Sequence, residues 1–365
     1  MAQRVGILGG HGVFGSRIAD QLAQDKNSEI KIIGRDATKG VAFANSIGVE
    51  FVQCDTKDIT TLSKIIAGAS LIINASGPFQ VLDYAIPRLC IEQGCHYIDI
   101  GDGRKHVAEV KQLHSSAQSK KVFVCVGTST APAVTSAAIT ELGHSFKRIH
   151  SIKVALTAGN KNQAGTSTIE TILTYAGLPI RVWQEGKWHE MAGWGAGEIV
   201  SFPKPVGRRR VQLCDLPDLE LFPQLFEATT VTFKAGVELT LFNYAISAIA
   251  SLRKLNPNLN LPVLAKPIRQ LSNLFKGFGT LNGCVAVWVT GENNKQKSLA
   301  VVARNNGPRV ASAPAVLLAR KLLTHGAPVV GAFPCVGFVT IREIADFLAP
   351  FGISIVYGEN GHWQS

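Results

Sequence analysis

The chain has 365 residues, 46% of them hydrophobic and 17% charged, which excludes a disordered polypeptide and allows a full core in two domains. Lys and Arg number 37 against 26 Asp and Glu, a formal charge of +11. Arg208-Arg209-Arg210 is the one run of three basic residues and no aromatic-basic module accompanies it, so the surplus reads as a solvated basic surface, with no nucleic-acid partner expected.

From Arg4 onward, short apolar runs alternate with helix-like segments: RVGIL, a helix over 13–23, IKIIG, a helix over 37–47, EFVQC, a helix over 59–66, LIINAS, a helix over 82–92, HYIDI, a helix over 107–119 and VFVCVG. Strands spaced by crossover-length helices, and rich in consecutive Ile and Val, predict an α/β fold with a Rossmann doubly wound parallel sheet over residues 1–126. Beyond it the runs lengthen and alternate: IHSIKVALT, TTVTFKAG, and the pair CVAVWVTGE and SLAVVAR, which reads as an antiparallel hairpin turning at Asn293 and Asn294. With helices near 166–176, 238–252 and 262–275, these predict a second, mixed α/β substrate domain over 127–335. Thr340-Ile-Arg-Glu343 has capping-box spacing and 352–357 reads as a strand, so 336–365 is expected to return to the Rossmann domain as a helix and a strand.

The seven cysteines are scattered with no Cys-x-x-Cys pair, a pattern that argues for small buried hydrophobes in a reducing compartment and against a metal site or disulfide framework. No charged and apolar leader precedes the first strand, and the longest uncharged helix-like run, 239–252, is too short to cross a bilayer; a cytoplasmic protein is expected. The basic, apolar region 239–278 leaves burial in the core, a homodimer interface and peripheral membrane contact as open readings, with a homodimer the expected assembly.

Between the first strand and the first helix stands Gly10-x-Gly12-x-x-Gly15, the context a dinucleotide fingerprint needs. Its glycines permit a tight turn, a close backbone approach to a pyrophosphate and helix–strand packing, which makes Gly9, Gly10, Gly12, Val13, Phe14 and Gly15 the expected phosphate cradle. About twenty residues on, where an NAD enzyme keeps an acid for the ribose 2′-hydroxyl, stand Gly34 and Arg35. Gly leaves room and a guanidinium forms forked, charge-assisted hydrogen bonds, so the expected cofactor is NADP. Asp36 is expected beside the ribose. Asp55, at the end of the third strand, is placed at the adenine, with a helix cap as its alternative. Ala75, Ser76, Gly77 and Pro78, small residues ending the fourth strand, are placed at the nicotinamide ribose.

With GGHGVFG, GRD, INASGPF and HYIDIGDGR in this order, residues 1–145 resemble the saccharopine dehydrogenase NADP-binding family. The resemblance implies an NADP-dependent oxidoreductase that moves a hydride between a nicotinamide and a carbon bonded to nitrogen, on an amino-acid-like small molecule. Where saccharopine reductases carry Pro-Tyr this chain has Pro78-Phe79-Gln80, and their Gly-Leu-Asp-Pro-Gly is replaced by residues 127–132, GTSTAP; saccharopine itself is therefore disfavoured. What remains for acid-base work is Asp102 beyond the fifth strand, with Ser129 and Thr130 beyond the sixth, although these hydroxyls equally suit a helix cap. Asp99 reads as a structural hydrogen-bonding group and His106 as a solvated helix histidine. In the second domain, GNKNQAGTSTIETIL reads as a loop entering a helix capped by Thr166 or Ser167. KWHEMAGWGAGE, with Trp188, His189 and Trp194, reads either as a pocket wall or as a cover over the core. Two competing functions are a nucleotide-binding scaffold without turnover and a membrane-surface reductase acting on a lipid.

Overall fold

The computed structural model describes residues 3–25, 27–80, 83–162 and 165–364, in two compact units. The first unit comprises 1–134 and 311–339. It runs β1 (Gln3–Leu8), α1 (Gly15–Leu22), β2 (Ser28–Gly34), α2 (Ala37–Ile47), β3 (Glu50–Gln53), α3 (Ile59–Ile66), β4 (Leu71–Asn74), α4 (Ala85–Glu92), β5 (His96–Asp99), α5 (Arg104–Ala108), α6 (His114–Ser119) and β6 (Phe123–Val126). The sheet order is β3-β2-β1-β4-β5-β6, closed at the far edge by the strand Gly331–Pro334, and every pairing is parallel. Ile7, Ile32, Ile73, Ile98 and Val124 are all buried, which is why the strands read as unbroken aliphatic runs rather than alternating ones.

Two expectations change here. The single helix expected over 107–119 is α5, a 3₁₀ turn (Val110–Leu113) and α6; Val107, Val110 and Leu113 are buried at intervals of three residues, the period of the tighter helix. Leu82, the expected start of α4, lies outside the described residues.

The second unit comprises 135–310 and 340–365, built on a ten-stranded sheet. Thr230–Val237 pairs parallel with Ser151–Ala158, and Gly283–Thr290 and Gln296–Ala303 continue the sheet as the expected antiparallel hairpin, turning where Asn293 and Asn294 take positive φ. Ala286, Trp288, Ala300 and Val302 of that hairpin pack with Val200, Phe202 and Val206 in one cluster.

The tail does not return to the Rossmann sheet. Ile353–Glu359 pairs antiparallel with Gln296–Ala303 along seven residues, and the strand that completes the first sheet is Gly331–Pro334, in register with Phe123–Val126. A seven-residue strand finds a full-length partner on the second sheet, whereas the four-residue edge of β6 is matched by the short GAFP segment. The boundaries expected at 126/127 and 335/336 give way to an interleaved division. The capping box is formed: Thr340 Oγ1 accepts the Glu343 amide at 3.2 Å, and Glu343 Oε2 accepts the Thr340 amide at 2.8 Å.

Candidate functional site

The strand order reverses between β1 and β4, the switch point at which parallel sheets open a crevice beyond their carboxyl ends. Gly9, the first residue past β1, has φ +70°, and a Cβ there would lie 3.0 Å from Ala75 O. Both facts require glycine. A Cβ on Gly15 would collide with Gly9 O and stand 2.9 Å from Gly10 Cα, so the third glycine lets α1 start against the loop. The turn is held by Gly9 N donating to Ile33 O at 2.8 Å and Gly12 N donating to Gly9 O at 2.9 Å. α1 has no acidic residue in its first turn and no side chain caps it; among the described residues no backbone carbonyl takes the amides of Val13 or Phe14. Free amides at a helix N-terminus, approached over glycines, fit a pyrophosphate.

At the end of β2 the space over Gly34 is filled by the His11 ring: a Cβ on Gly34 would lie 2.8 Å from His11 Nδ1. That ring meets Phe51 edge-on at 6.1 Å, and its Nδ1 is buried with no partner among the described residues. Arg35 is exposed; Gln53 Nε2 donates to its carbonyl at 3.1 Å, leaving the guanidinium toward solvent. Asp36 caps α2, its Oδ1 accepting the Lys39 amide at 3.1 Å and its Oδ2 the Lys39 ammonium at 2.8 Å, which together hold its carboxyl below the usual carboxylate range. The cap occupies both oxygens, and Lys39 stands as a second cation on the turn after Arg35. The exposed Asp55 bonds locally, accepting the Lys57 amide at 3.1 Å; the cap of α3 is Asp58, not Asp55.

Beyond β4 and β5 runs a buried polar chain. Asn74 Oδ1 accepts the Ser76 amide at 3.0 Å and the Ser76 hydroxyl at 2.5 Å, while its Nδ2 donates to Tyr97 Oη at 3.1 Å. Tyr97 donates to Asp99 Oδ2 at 3.0 Å, and the same oxygen meets His106 Nε2 at 2.7 Å. Asp99 Oδ1 takes the amides of Gly101 at 2.9 Å and Gly127 at 3.0 Å. His106 is 6% exposed, stacked against Tyr84 and tilted against Phe79; the expected solvated histidine is in fact packed inside. Its position follows from Gly101 and Gly103: a Cβ on the first would stand 2.8 Å from both Asp99 Oδ1 and the His106 ring, and on the second 2.8 Å from Phe79 O. Burial opposes charge on the imidazole, but the Asp99 carboxylate outweighs it and the His106 pKa lies above the ordinary histidine value. A cavity of about 270 Å³ adjoins the chain, lined among others by Asn74, Tyr97, His106 and Lys57.

The comparisons with known proteins bear on this unit. Residues 5–125 match the family model described as the saccharopine dehydrogenase NADP binding domain. The chain carries an NADP-binding domain of the saccharopine dehydrogenase type. Over its whole length it shares a fold with apo saccharopine dehydrogenase (L-Glu forming) from Saccharomyces cerevisiae, at 11% identity and a TM-score of 0.66, covering 98% of this chain and 99% of that one. A dehydrogenase from Chromobacterium violaceum aligns over 83% of this chain and 75% of its own at 12% identity, with a TM-score of 0.39 that carries no weight. No curated protein matches the chain.

In the NADP-binding domain, the Gly9–Gly15 turn is brought together with Ala75 and Ser76, which follow β4; Ala75 N donates to Leu8 O at 2.9 Å. Gly77 is exposed and Pro78 half-buried just beyond. Asp102 receives Gln80 Nε2 at 3.2 Å, and burial pushes its carboxyl above the ordinary aspartate value. Ser129 is buried and Thr130 half-buried; their hydroxyls make no hydrogen bond among the described residues, so neither acts as the helix cap its sequence position allowed. Thr128 is the anchored member of that turn, its Oγ1 donating to Asp99 O at 2.7 Å.

The second unit absorbs the other residues singled out. Thr166 is not a cap: Gly165 holds that place, and Thr166 Oγ1 accepts from Arg269 at 2.8 Å; Gln163 and Ala164 lie outside the described residues. Trp194 is buried, and the half-buried Trp188 packs edge-on to Trp183 at 5.0 Å. Arg209 pairs with Glu238 at 3.1 Å and the Arg210 guanidinium sits 5.0 Å from the Tyr244 ring, so two of the three run-on arginines are structurally engaged.

Proposed function

We propose that the protein is an NADP(H)-dependent oxidoreductase that transfers a hydride at a C–N centre of a small, amino-acid-like substrate. The observation that carries this reading is the conjunction, at one sheet edge, of the glycine cradle with a buried polar chain, Ser76-Asn74-Tyr97-Asp99-His106. The likeness of fold to a saccharopine dehydrogenase over nearly the whole chain supports the substrate class.

The nicotinamide, when bound, supplies or receives the hydride. Val13 and Phe14 at the start of α1 would hold the pyrophosphate, Arg35 the 2′-phosphate, and Ala75 to Pro78 the nicotinamide ribose. Asp99, fixed by two amides and two side chains, holds the turns at Gly101 and Gly127 and so places Asp102, Ser129 and Thr130. Reduction of an imine needs one hydride on carbon and one proton on nitrogen. Asp102, its carboxyl raised toward the protonated form, gives up that proton, and the uncommitted hydroxyls of Ser129 and Thr130 orient the substrate. With neither the phenol at Phe79 nor the aspartate within 127–132 that saccharopine reductases carry, the substrate differs from saccharopine.

The test is oxidation of NADPH, followed by loss of nicotinamide absorbance, with α-keto acids paired with amines. Turnover that needs both partners and falls at least about a hundredfold in kcat for Asp102→Asn supports the reading, about the smallest effect of a general acid. Tight NADPH binding with no turnover across the panel overturns it in favour of a scaffold.

A further inference from the structure

The helix Thr240–Leu255 turns three of its polar residues, Asn243, Ser247 and Arg253, toward the protein. Asn243 is fully buried, its Oδ1 accepting the Val237 amide at 3.1 Å and its Nδ2 donating to Val237 O at 2.8 Å. Gln212 donates to Ser247 Oγ at 2.9 Å. Arg253 turns inward to donate to Leu173 O at 2.7 Å and Thr174 O at 3.0 Å, closing the last turn of Thr166–Tyr175.

The outer face carries large apolar side chains. Leu241, Tyr244, Leu252 and Leu255 recur at helical spacing and are each more than half exposed, Leu255 at 85%. The following helix, Ala265–Leu274, and the turn after it add Leu274 and Phe278. Of the nine large hydrophobic residues more than half exposed among the described ones, eight lie between 241 and 278. Such a concentration marks an interaction surface rather than the ordinary scatter of exposed aliphatics.

Charge decides what it meets. No Asp or Glu occurs between Glu238 and Glu292, whereas Lys254, Lys266, Arg269 and Lys276 are exposed around the apolar stripe. A second copy seated on this face would set those cations against their own equivalents with no acid to pair them. An anionic lipid surface takes both features at once, aliphatics at the acyl boundary and ammonium groups among the headgroups. No described helix is long and apolar enough to cross a membrane, so the contact is one of lying on the surface.

We propose that the face formed by Thr240–Leu255 and Ala265–Leu274 docks on an anionic bilayer. The full chain is sedimented with phosphatidylcholine vesicles, with and without about one-third phosphatidylserine, at low and high salt. It is expected to sediment with the anionic vesicles alone and to be released by salt. Lys254→Glu/Lys276→Glu and, separately, Leu255→Ser/Leu274→Ser are each expected to lower partition about tenfold or more, since each basic residue near such a surface contributes about a fivefold factor. Circular dichroism and NADPH titration of the variants should match the parent, which separates loss of docking from loss of fold or of the cofactor site. A chain that stays in the supernatant overturns the proposal. So do variants that sediment like the parent, or a dimer in solution that Leu255→Ser/Leu274→Ser dissolves, which would give this face to a second copy.

Discussion

Asp99→Asn removes one charge from the centre of the polar chain and changes no volume. Asp99 accepts four hydrogen bonds, from Gly101 N, Gly127 N, Tyr97 Oη and His106 Nε2. An amide has one oxygen. If that oxygen keeps the two backbone donors, its NH₂ faces Tyr97 and His106, which must then accept rather than donate, and the imidazole loses the carboxylate that favoured its charge. Removing one member of a buried pair costs about 3 kcal/mol, at the low end of the usual range because a neutral imidazole can change tautomer. The sign of the pH effect follows from the raised His106 pKa. The contact contributes fully below the ordinary histidine pKa and is lost as pH rises through the folded value, so the gap between parent and variant is widest near about pH 6 and narrower in alkaline buffer. Urea denaturation followed by far-ultraviolet circular dichroism measures it. All five tryptophans lie in the second unit, so their fluorescence is the internal control. A loss under about 1 kcal/mol at the lower pH, or an equal loss at both, would refute the assignment of Asp99 and His106 as a coupled pair.

Gly15→Ala drives a methyl into Gly9 O; relief costs about 1–3 kcal/mol and moves the loop, so NADPH affinity by calorimetric titration should fall at least tenfold, and an unchanged Kd would remove the loop as the phosphate cradle. Asp218 is fully buried in the second unit, and burial raises its carboxyl to about 8, with Thr135 offsetting part of the shift. A raised carboxyl contributes stability while protonated and loses it as pH climbs from about 4 toward 8, so Asp218→Asn should flatten that decline and be the more stable form at about pH 8 by tryptophan fluorescence; identical pH profiles would contradict it.

The parallel sheet was legible because strands covered on both faces leave unbroken Ile and Val runs, and the phosphate turn because its glycines sit where a Cβ has no room. The strand Gly331–Pro334 was not: four residues bounded by Gly and Pro carry no periodicity, and their partner lies some two hundred residues earlier. The tail strand showed its alternation but not which sheet it joins, since both offered an edge. At the candidate site, Arg35 and Asp102 stand out by position, whereas His106 reads as a solvated histidine because the glycines that fold the chain over Asp99 act through space. The two glycines flanking Asp102, Gly101 and Gly103, are the sequence signal of that close approach. His11 is hidden inside the glycine motif, and Lys39 reads as a helix surface charge.

The central claim is that the first unit selects a cofactor bearing a 2′-phosphate through the cation that follows β2. Titration of the parent and of Arg35→Ala with NADPH and NADH tests it most directly. A charge-assisted hydrogen bond is worth about 1.5–3 kcal/mol, so the parent should bind NADPH at least about tenfold more tightly than NADH, and the variant should lose most of that margin. Equal affinity for the two cofactors in the parent, or an undiminished preference in the variant, would contradict it.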